Sequence, residues 1–297
     1  MSSQTVVKQH VVSQVVLSEF AVDRQLEAED VRQPGRWRPK SPAAVGYVND
    51  FVPHDSATIE ALWHSVETRL PQAMEVVRGG TAPRPGSPEE SILRDCVALH
   101  WARSKATKTA ANRAWLKVQA EHEKEFRVRG RRVLAALHER RTGRPGSRKE
   151  LDALNAELNA GPEEVLDGRH FASAVPQWYE FARKRFATNR VQVLVCDDRV
   201  DDLVMSDTPV LTPTRRGPGL NPAQGVALGD ATGAGMPLGP RVFVSLHDAA
   251  EVVVLDAAQV RQLNAFQASV RDLQMFRRRP QGRPKKRPRP SSPGQKM

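Results

Sequence analysis

A histidine and a glutamine lie four residues apart in an apolar segment near the start of the chain, KQHVVSQVVLSEFA (residues 8–21). His10 and Gln14 share a face whether the segment forms a helix or a strand. Valine and leucine side chains flank both residues, so burial would oblige the pair to find polar partners. An imidazole oriented by an amide can serve as an acid, a base or a phosphate ligand. A hydrogen-bonded packing junction explains the same pair, and both interpretations stay open.

Three further ionisable residues, Glu60, His64 and Glu67, follow one helical stripe of a segment predicted to be helical from about Asp55. Carboxylates and an imidazole at this spacing bind divalent metals when a second helix supplies more ligands. The sequence offers no such second set, so no metal site is predicted and any cofactor stays unidentified. The two carboxylates are expected to face a cation such as Arg103.

Arg103 closes the apolar helical segment ILRDCVALHWAR. Its planar guanidinium can hold a carboxylate of the Glu60 and Glu67 helix, or a phosphate of a substrate. Ser206 and Asp207 follow a predicted strand and precede Pro209. Asp207 can accept backbone amides in a turn, or serve as a general base at the strand end. A structural role and a catalytic role remain open for both Arg103 and Asp207.

The pattern of apolar residues places these side chains on predicted elements. Ser87, Pro88 and Glu90 form a capping box for a helix expected to run through about Ala111. Pro71 is expected to kink the preceding helix, which should end at Gly79. Later segments have a period of two, which predicts strands at 191–196, 202–206, 240–246 and 251–256, with a Gly- and Pro-rich loop at 212–239. A last helix, expected to bear Val260 through Leu273, begins at Asp256.

Helices in the middle of the chain and strands mostly after them, without regular alternation, predict an α+β fold. The mainly helical body should carry a small, mostly antiparallel sheet built from an N-terminal hairpin and residues 190–256. We assign residues 1–276 to a single α+β domain. Residues 277–297 are predicted to form a disordered basic tail, because they contain no sizeable apolar cluster that could offset chain entropy.

The tail accounts for most of the net charge of +11, because it holds nine Lys and Arg residues and no acid. Its densest part contains Arg283, Lys285, Lys286, Arg287 and Arg289. Such a segment could bind nucleic acid through phosphates, with an affinity that falls as salt rises. A purely solubilising role explains the same composition, and neither interpretation is preferred.

Only Cys96 and Cys196 are present, which argues against a disulfide framework or a zinc site of common spacing. The N-terminal segment lacks the pattern of a signal peptide, and no apolar run approaches the length that spans a bilayer. We therefore expect a cytoplasmic protein without a membrane partner. The oligomeric state cannot be predicted.

Several separated strings together resemble the uncharacterised bacterial proteins of domain-of-unknown-function family 4238. They are KQHVVSQVVLSEFA (8–21), IEALWHSVE (59–67), ALHWARS (98–104), VQVLVCDDRVDDLVMSDTPVLTP (191–213), PLGPRVFVSL (237–246) and LNAFQASVRDLQMF (263–276). Ser13 stands where that family usually has a proline. The resemblance implies an arrangement of polar residues over about residues 8–280 and supplies no reaction.

Two functional hypotheses follow from these residues. The first is an accessory or binding protein, associated with nucleic acid through the basic tail. The second is a hydrolase or nuclease acting on a phosphorylated substrate, with His10, Gln14, Glu67, Arg103 and Asp207 as catalytic residues and with Glu60 and Ser206 contributing to binding. The second requires the distant segments to meet at one site.

Overall fold

The computed structural model describes residues 8–52, 56–159, 169–213 and 231–280. The helices are α1 (Gln14–Glu19), α2 (Ser56–Glu67), α3 (Leu70–Arg78), α4 (Pro88–Ala102), α5 (Lys105–Arg129), α6 (Arg131–Thr142), α7 (Arg148–Asn159), α8 (Arg169–Arg185) and α9 (Ala257–Val270). The tail residues predicted to bind nucleic acid, Arg283, Lys285, Lys286, Arg287 and Arg289, lie outside the described residues.

The strands are β1 (Lys8–His10), β2 (Leu26–Asp30), β3 (Trp37–Lys40), β4 (Tyr47–Asn49), β5 (Arg190–Cys196), β6 (Met205–Ser206), β7 (Ala234–Gly239), β8 (Val242–His247), β9 (Val252–Leu255) and β10 (Gln274–Arg277). They form a pair, β1-β4, and two four-stranded sheets in the orders β3-β2-β10-β6 and β7-β8-β5-β9. Among the described strands, every pairing is antiparallel except that of β5 with β9. The α+β prediction is therefore confirmed.

The strands divide among several sheets, where the sequence predicted one. The N-terminal hairpin β2-β3 does not join the strands of 190–256 apart from β6. Its neighbour is β10, in which Phe276 lies opposite Ala28. The sequence pattern predicts Leu273 in the last helix, but α9 ends at Val270. Strand β10 follows α9 and, by pairing with β2, connects the C-terminal part of the described chain to its N-terminal part.

Two predicted helices are each broken into two. The expected helix from Ser87 to Ala111 ends at Ala102, because Ser104 caps the next helix by accepting the backbone N–H of Thr107 at 3.1 Å. The kink expected at Pro71 is instead a break at Thr68–Arg69, and the proline occupies the first turn of α3. Proline suits that position because the first turn leaves its backbone donors unpaired.

The Gly- and Pro-rich segment predicted to be a loop ends in strand β7. Gly235 is required there, because a Cβ atom would lie 2.6 Å from the carbonyl oxygen of Val244 and 2.5 Å from the ring of Phe243. Residues 214–230 of the same segment lie outside the described residues. The predicted strand 202–206 is reduced to the two residues of β6.

A large apolar core links the two ends of the described chain, since it includes both Val11 and Phe276. Helices α2, α3, α4 and α8 and the inner faces of the strands contribute to it. Helices α6 and α7 share a separate small cluster of Leu134, Leu151 and Leu154. Among the described helices, none is both long enough and apolar enough to cross a membrane.

The beginning of the predicted tail belongs to the fold. Arg277 is the last residue of β10 and pairs with Glu27 at 2.7 Å, and its guanidinium lies 4.1 Å from the centre of the Trp37 ring. Arg278 makes a bidentate pair with Asp202, with both N···O distances 2.7 Å. The prediction that Arg277 and Arg278 belong to a disordered tail is therefore wrong, because both have acidic or aromatic partners far away in sequence.

Candidate functional site

A sharp turn from β1 into α1 brings His10 and Gln14 together. The carbonyl oxygen of Gly46 accepts the backbone N–H groups of Val11 and Val12, at 2.9 and 3.2 Å. Ser13 then caps α1 by accepting the N–H of Val15. His10 thus ends the strand and Gln14 begins the helix, and the Gln14 amide nitrogen lies 3.0 Å from Nε2 of His10.

Gln9 connects this turn to the segment that precedes α2. Its buried side chain donates to the carbonyl of Val52 at 3.0 Å and accepts the Val52 N–H at 2.5 Å. This two-point contact satisfies both ends of a buried amide, which costs free energy when left unpaired. It holds β1 against the backbone of Val52.

Helix α2 presents Glu60, Trp63 and Glu67 on one face, because their spacing of three and four residues follows the helical repeat. Trp63 is fully buried, while the two carboxylates are partly buried. His64, which the sequence placed on the same stripe, is exposed. The metal-binding interpretation of this helix therefore lacks an imidazole ligand beside the two carboxylates.

Arg103 is a buried cation at the end of α4, with 1% of its surface exposed. Its Nη2 atom lies 2.8 Å from Oε1 of Glu67 and 3.0 Å from Nε2 of His100. The guanidinium carbon lies 5.2 Å from the centre of the Trp63 ring, within the range of a cation–π contact. The predicted pairing of Arg103 with the α2 carboxylates is thus present as a contact with Glu67.

His100 joins Arg103 to the β1-α1 turn. Its Nδ1 donates to the Cys96 carbonyl at 2.8 Å, so Nε2 is the unprotonated nitrogen. Nε2 accepts from Arg103 and from the backbone N–H of Ser13 at 3.1 Å. Burial, and then the charge of Arg103, lower the His100 pKa well below its ordinary value, so the ring is held neutral.

We refer to His10, Gln14, Glu60, Trp63, Glu67, His100 and Arg103 as the Arg103 cluster. Four of its buried atoms have no hydrogen-bond partner among the described residues: Glu60 Oε1, Trp63 Nε1, Glu67 Oε1 and Arg103 Nε. Glu67 Oε1 is close to Arg103 Nη2, but no N–H is aligned with it, so the contact is an ion pair without a hydrogen bond. Buried polar atoms are seldom left unpaired, so such a concentration indicates a place where a polar ligand can bind.

The environment shifts the pKa values of two ionisable groups of the cluster in opposite directions. Burial, reinforced by the charge of Arg103, lowers the pKa of His10 below its usual value. Burial raises the pKa of Glu60, reinforced by Glu67 and opposed by Arg103. The imidazole is therefore a base that stays unprotonated to lower pH, and the carboxyl group is an acid that keeps its proton to higher pH.

Asp207 occupies a turn with contacts of its own. Its carboxylate accepts the backbone N–H groups of Asp272, Leu273 and Gln274, at 2.9, 2.7 and 3.2 Å. Burial raises its pKa to about 6 against the opposing effect of these amides. Within the described ranges no contact joins the Asp207 carboxylate to the Arg103 cluster.

Ser206 is likewise engaged within the protein. Its hydroxyl lies 2.9 Å from Oε1 of the buried Gln267 and 2.8 Å from the carbonyl oxygen of Thr208. The same Gln267 oxygen accepts the Ser206 N–H. The Ser206–Asp207 pair therefore performs the structural role considered for it, and we leave both residues out of the site.

Four of the five residues predicted to be catalytic, His10, Gln14, Glu67 and Arg103, thus belong to one cluster, and Glu60 joins them. The sequence analysis did not single out two further members of the cluster, Trp63 and His100. Their spacing of three residues from Glu60 and Arg103 respectively was the available signal. The described side chains identify no cofactor, and they include no group of three or more His, Cys, Asp or Glu that could hold a metal ion.

One of three comparisons with known proteins identifies a family. No curated protein and no solved structure matches the chain. The model of a family described as protein of unknown function (DUF4238) matches residues 8–270, which include every residue of the Arg103 cluster. The resemblance inferred from the sequence is confirmed, and the chain belongs to the DUF4238 family.

Proposed function

We propose that the protein is a hydrolase that cleaves a phosphoester bond at the Arg103 cluster. The observation that carries the proposal is the concentration, at a buried arginine, of four buried polar atoms without a hydrogen bond among the described residues, of which only Glu67 Oε1 has an ion-pair partner there. Arg103 Nε and Trp63 Nε1 are donors, and oxygens of a phosphoryl group are acceptors that match them. A guanidinium held rigidly by its neighbours is suited to stabilising the charge of a phosphoryl transition state.

His10 and Glu60 supply the proton transfers in this proposal. Neutral His10 takes a proton from a water molecule as the water oxygen bonds to phosphorus. Protonated Glu60 gives its proton to the leaving oxygen as the phosphorus–oxygen bond breaks. The pKa shifts of the two groups, lowered for His10 and raised for Glu60, increase the fraction of molecules in which both have the required protonation state.

The proposal is tested by hydrolysis of p-nitrophenyl phosphate, bis(p-nitrophenyl) phosphate and a fluorescently quenched oligonucleotide. His10→Ala is expected to lower kcat/KM about 100-fold or more, which is the usual contribution of a general base. Glu60→Gln should lower the rate and remove the alkaline limb of the pH profile, because the amide cannot lose a proton.

His64→Ala is the matched control, since His64 lies on α2 beside the site and is exposed. It should leave the rate unchanged. Absence of turnover of all three substrates by the wild-type protein, together with no rise in Tm in phosphate, would show that the site does not handle phosphoesters. A ligand that binds only the folded state must raise Tm, so the melting measurement detects binding without catalysis.

A second candidate function is nucleic-acid binding by the basic tail. It is favoured by the run of Arg283, Lys285, Lys286, Arg287 and Arg289 and by the absence of acids from residues 277–297. Deleting residues 281–297 should then weaken salt-sensitive retention of DNA or RNA. Retention by the shortened chain equal to that of the full chain would remove this function.

A further inference from the structure

We infer that helix α5 is a docking surface for the phosphate backbone of a nucleic acid. The inference concerns a surface distinct from both the Arg103 cluster and the tail. It does not rest on the proposed hydrolysis, because binding is measured without turnover.

The positive charge of the folded chain is concentrated in one helical segment, α5 to α7 (residues 105–159). This segment contains fourteen Lys and Arg and seven Asp and Glu, a net charge of +7. Outside it and outside residues 277–297, the chain carries a net charge of −5. The basic helical segment therefore differs in sign from residues 1–104 and 160–276, and a polyanion is attracted to it rather than to them.

Three basic side chains form a stripe along α5. Arg113, Lys117 and Lys124 are all exposed, and their spacing of four and seven residues keeps them on one face. Eleven residues of helix extend about 16 Å. Because phosphates of one strand advance about 3.4 Å along a duplex axis, this stripe can follow several consecutive phosphates.

The charges of this stripe are largely unneutralised. Lys117 has only a distant partner, Glu121 at 3.9 Å, with both side chains exposed. Arg113 and Lys124 have no acidic partner within 4 Å among the described residues. By contrast, Arg183 and Arg278 each lie 2.7 Å from a carboxylate. Exposed cations without protein partners are the groups that release counterions when they contact phosphates.

The position of α5 relative to the Arg103 cluster gives the surface a direction. Helix α5 begins at Lys105, two residues after Arg103, and Ser104 caps it. A strand of nucleic acid lying along the stripe therefore runs towards the cluster. If the proposed hydrolase is correct, the docked strand supplies a phosphodiester as its substrate.

The test is fluorescence anisotropy of labelled double-stranded DNA, and of the matching RNA, with full-length protein between about 50 and 200 mM salt. The variant Arg113→Gln/Lys117→Gln/Lys124→Gln should bind about tenfold or more weakly at the middle of this range. The slope of log K against log salt should become shallower by about 1 to 3, one for each phosphate that the variant no longer neutralises. Glutamine has nearly the helix propensity of lysine and arginine, so Tm and the circular dichroism spectrum should not change.

Two matched triple variants complete the design. Arg32→Gln/Arg36→Gln/Lys40→Gln removes the same charge from exposed positions near β2-β3 and should retain the wild-type slope. Arg283→Gln/Lys285→Gln/Lys286→Gln reports the tail separately. Equal losses in the α5 and β2-β3 variants, or a loss confined to the tail variant, would overturn the inference. Binding of the wild-type protein to phosphatidylserine vesicles, without binding to DNA or RNA, would also overturn the inference.

Discussion

Every hydrogen-bonding position of the His100 imidazole is used to hold other parts of the Arg103 cluster in place. Nδ1 is fixed by the Cys96 carbonyl, and Nε2 accepts from both Arg103 and the N–H of Ser13. The ring therefore spans from α4 to the turn that carries His10 and Gln14. A protonated ring would have to donate from Nε2 towards a cation and towards another donor, so the arrangement requires the neutral form.

This requirement predicts a loss of stability in acid that belongs to His100. Its pKa is lowered in the folded chain, so below about pH 6.5 the unfolded chain takes up a proton that the folded chain refuses. The free energy of unfolding should then fall by about 1.4 kcal/mol per pH unit from this residue alone, until the folded pKa is reached. Denaturant titrations at a series of pH values measure the slope.

His100→Gln should lower stability at neutral pH by about 1–3 kcal/mol, because one amide cannot replace all the contacts of the ring. It should also make the free energy of unfolding fall less steeply in acid, by about 1.4 kcal/mol per pH unit, because one proton fewer is taken up on unfolding. His64→Gln, on the exposed surface, should keep the wild-type slope. An unchanged slope in His100→Gln would mean that this ring is not the group that resists protonation.

At the scale of elements, the turn after β6 supports the β1-α1 turn from a distant part of the chain. Asp207 holds the backbone amides that lead into β10, and the Gln274 side chain then accepts the N–H of Gly46 at 3.1 Å. Gly46 in turn supports the β1-α1 turn through its carbonyl. The Ser206–Asp207 pair thus acts on the site only through the backbone it positions.

Asp207→Asn should therefore be destabilising by about 1–3 kcal/mol, because an amide offers one oxygen where the carboxylate uses two. The pKa of Asp207 is raised to about 6, so its charged form is disfavoured by folding. In the wild type this group should make the protein more stable as pH falls from about 7 towards 4, and the variant should lack that gain. Thermal melts of the variant against Asp201→Asn, at an exposed position, give the comparison. Equal Tm values for the two variants would contradict the role assigned to Asp207.

Local patterns sufficed for the elements whose signals are local. The Ser87 capping box and the period-two pattern of residues 191–196 correspond to the start of α4 and to β5. Strand β7 was missed because its glycine and proline content suggests a loop, whereas Gly235 is needed for close packing on Phe243. Strand β10 was missed because its pairing with β2 joins residues about 250 positions apart, which no local pattern can reveal. The same reason explains why Asp207 was assigned to the site: its partners come from a distant turn.

At the scale of the whole molecule, the C-terminal arginines divide into two groups with different roles. Arg277, the last residue of β10, contacts Glu27 and Trp37, and Arg278 pairs with Asp202. The arginines and lysines from Arg283 onwards lie beyond these contacts in the sequence. The two groups should therefore differ in their effect on stability.

Deleting residues 281–297 should leave Tm unchanged, since all the contacts of Arg277 and Arg278 remain. Deleting from Arg277 onwards should lower the free energy of unfolding by about 1–3 kcal/mol, because ion pairs with partly buried carboxylates, of which that of Arg278 is bidentate, are stronger than ordinary surface pairs. Differential scanning calorimetry of the two truncated chains measures the difference. The point variant Arg278→Gln, which keeps the full length, should reproduce part of the loss. A chain that ends at Phe276 and keeps the wild-type Tm would refute the division, because the stability assigned to the two arginines would then come from elsewhere.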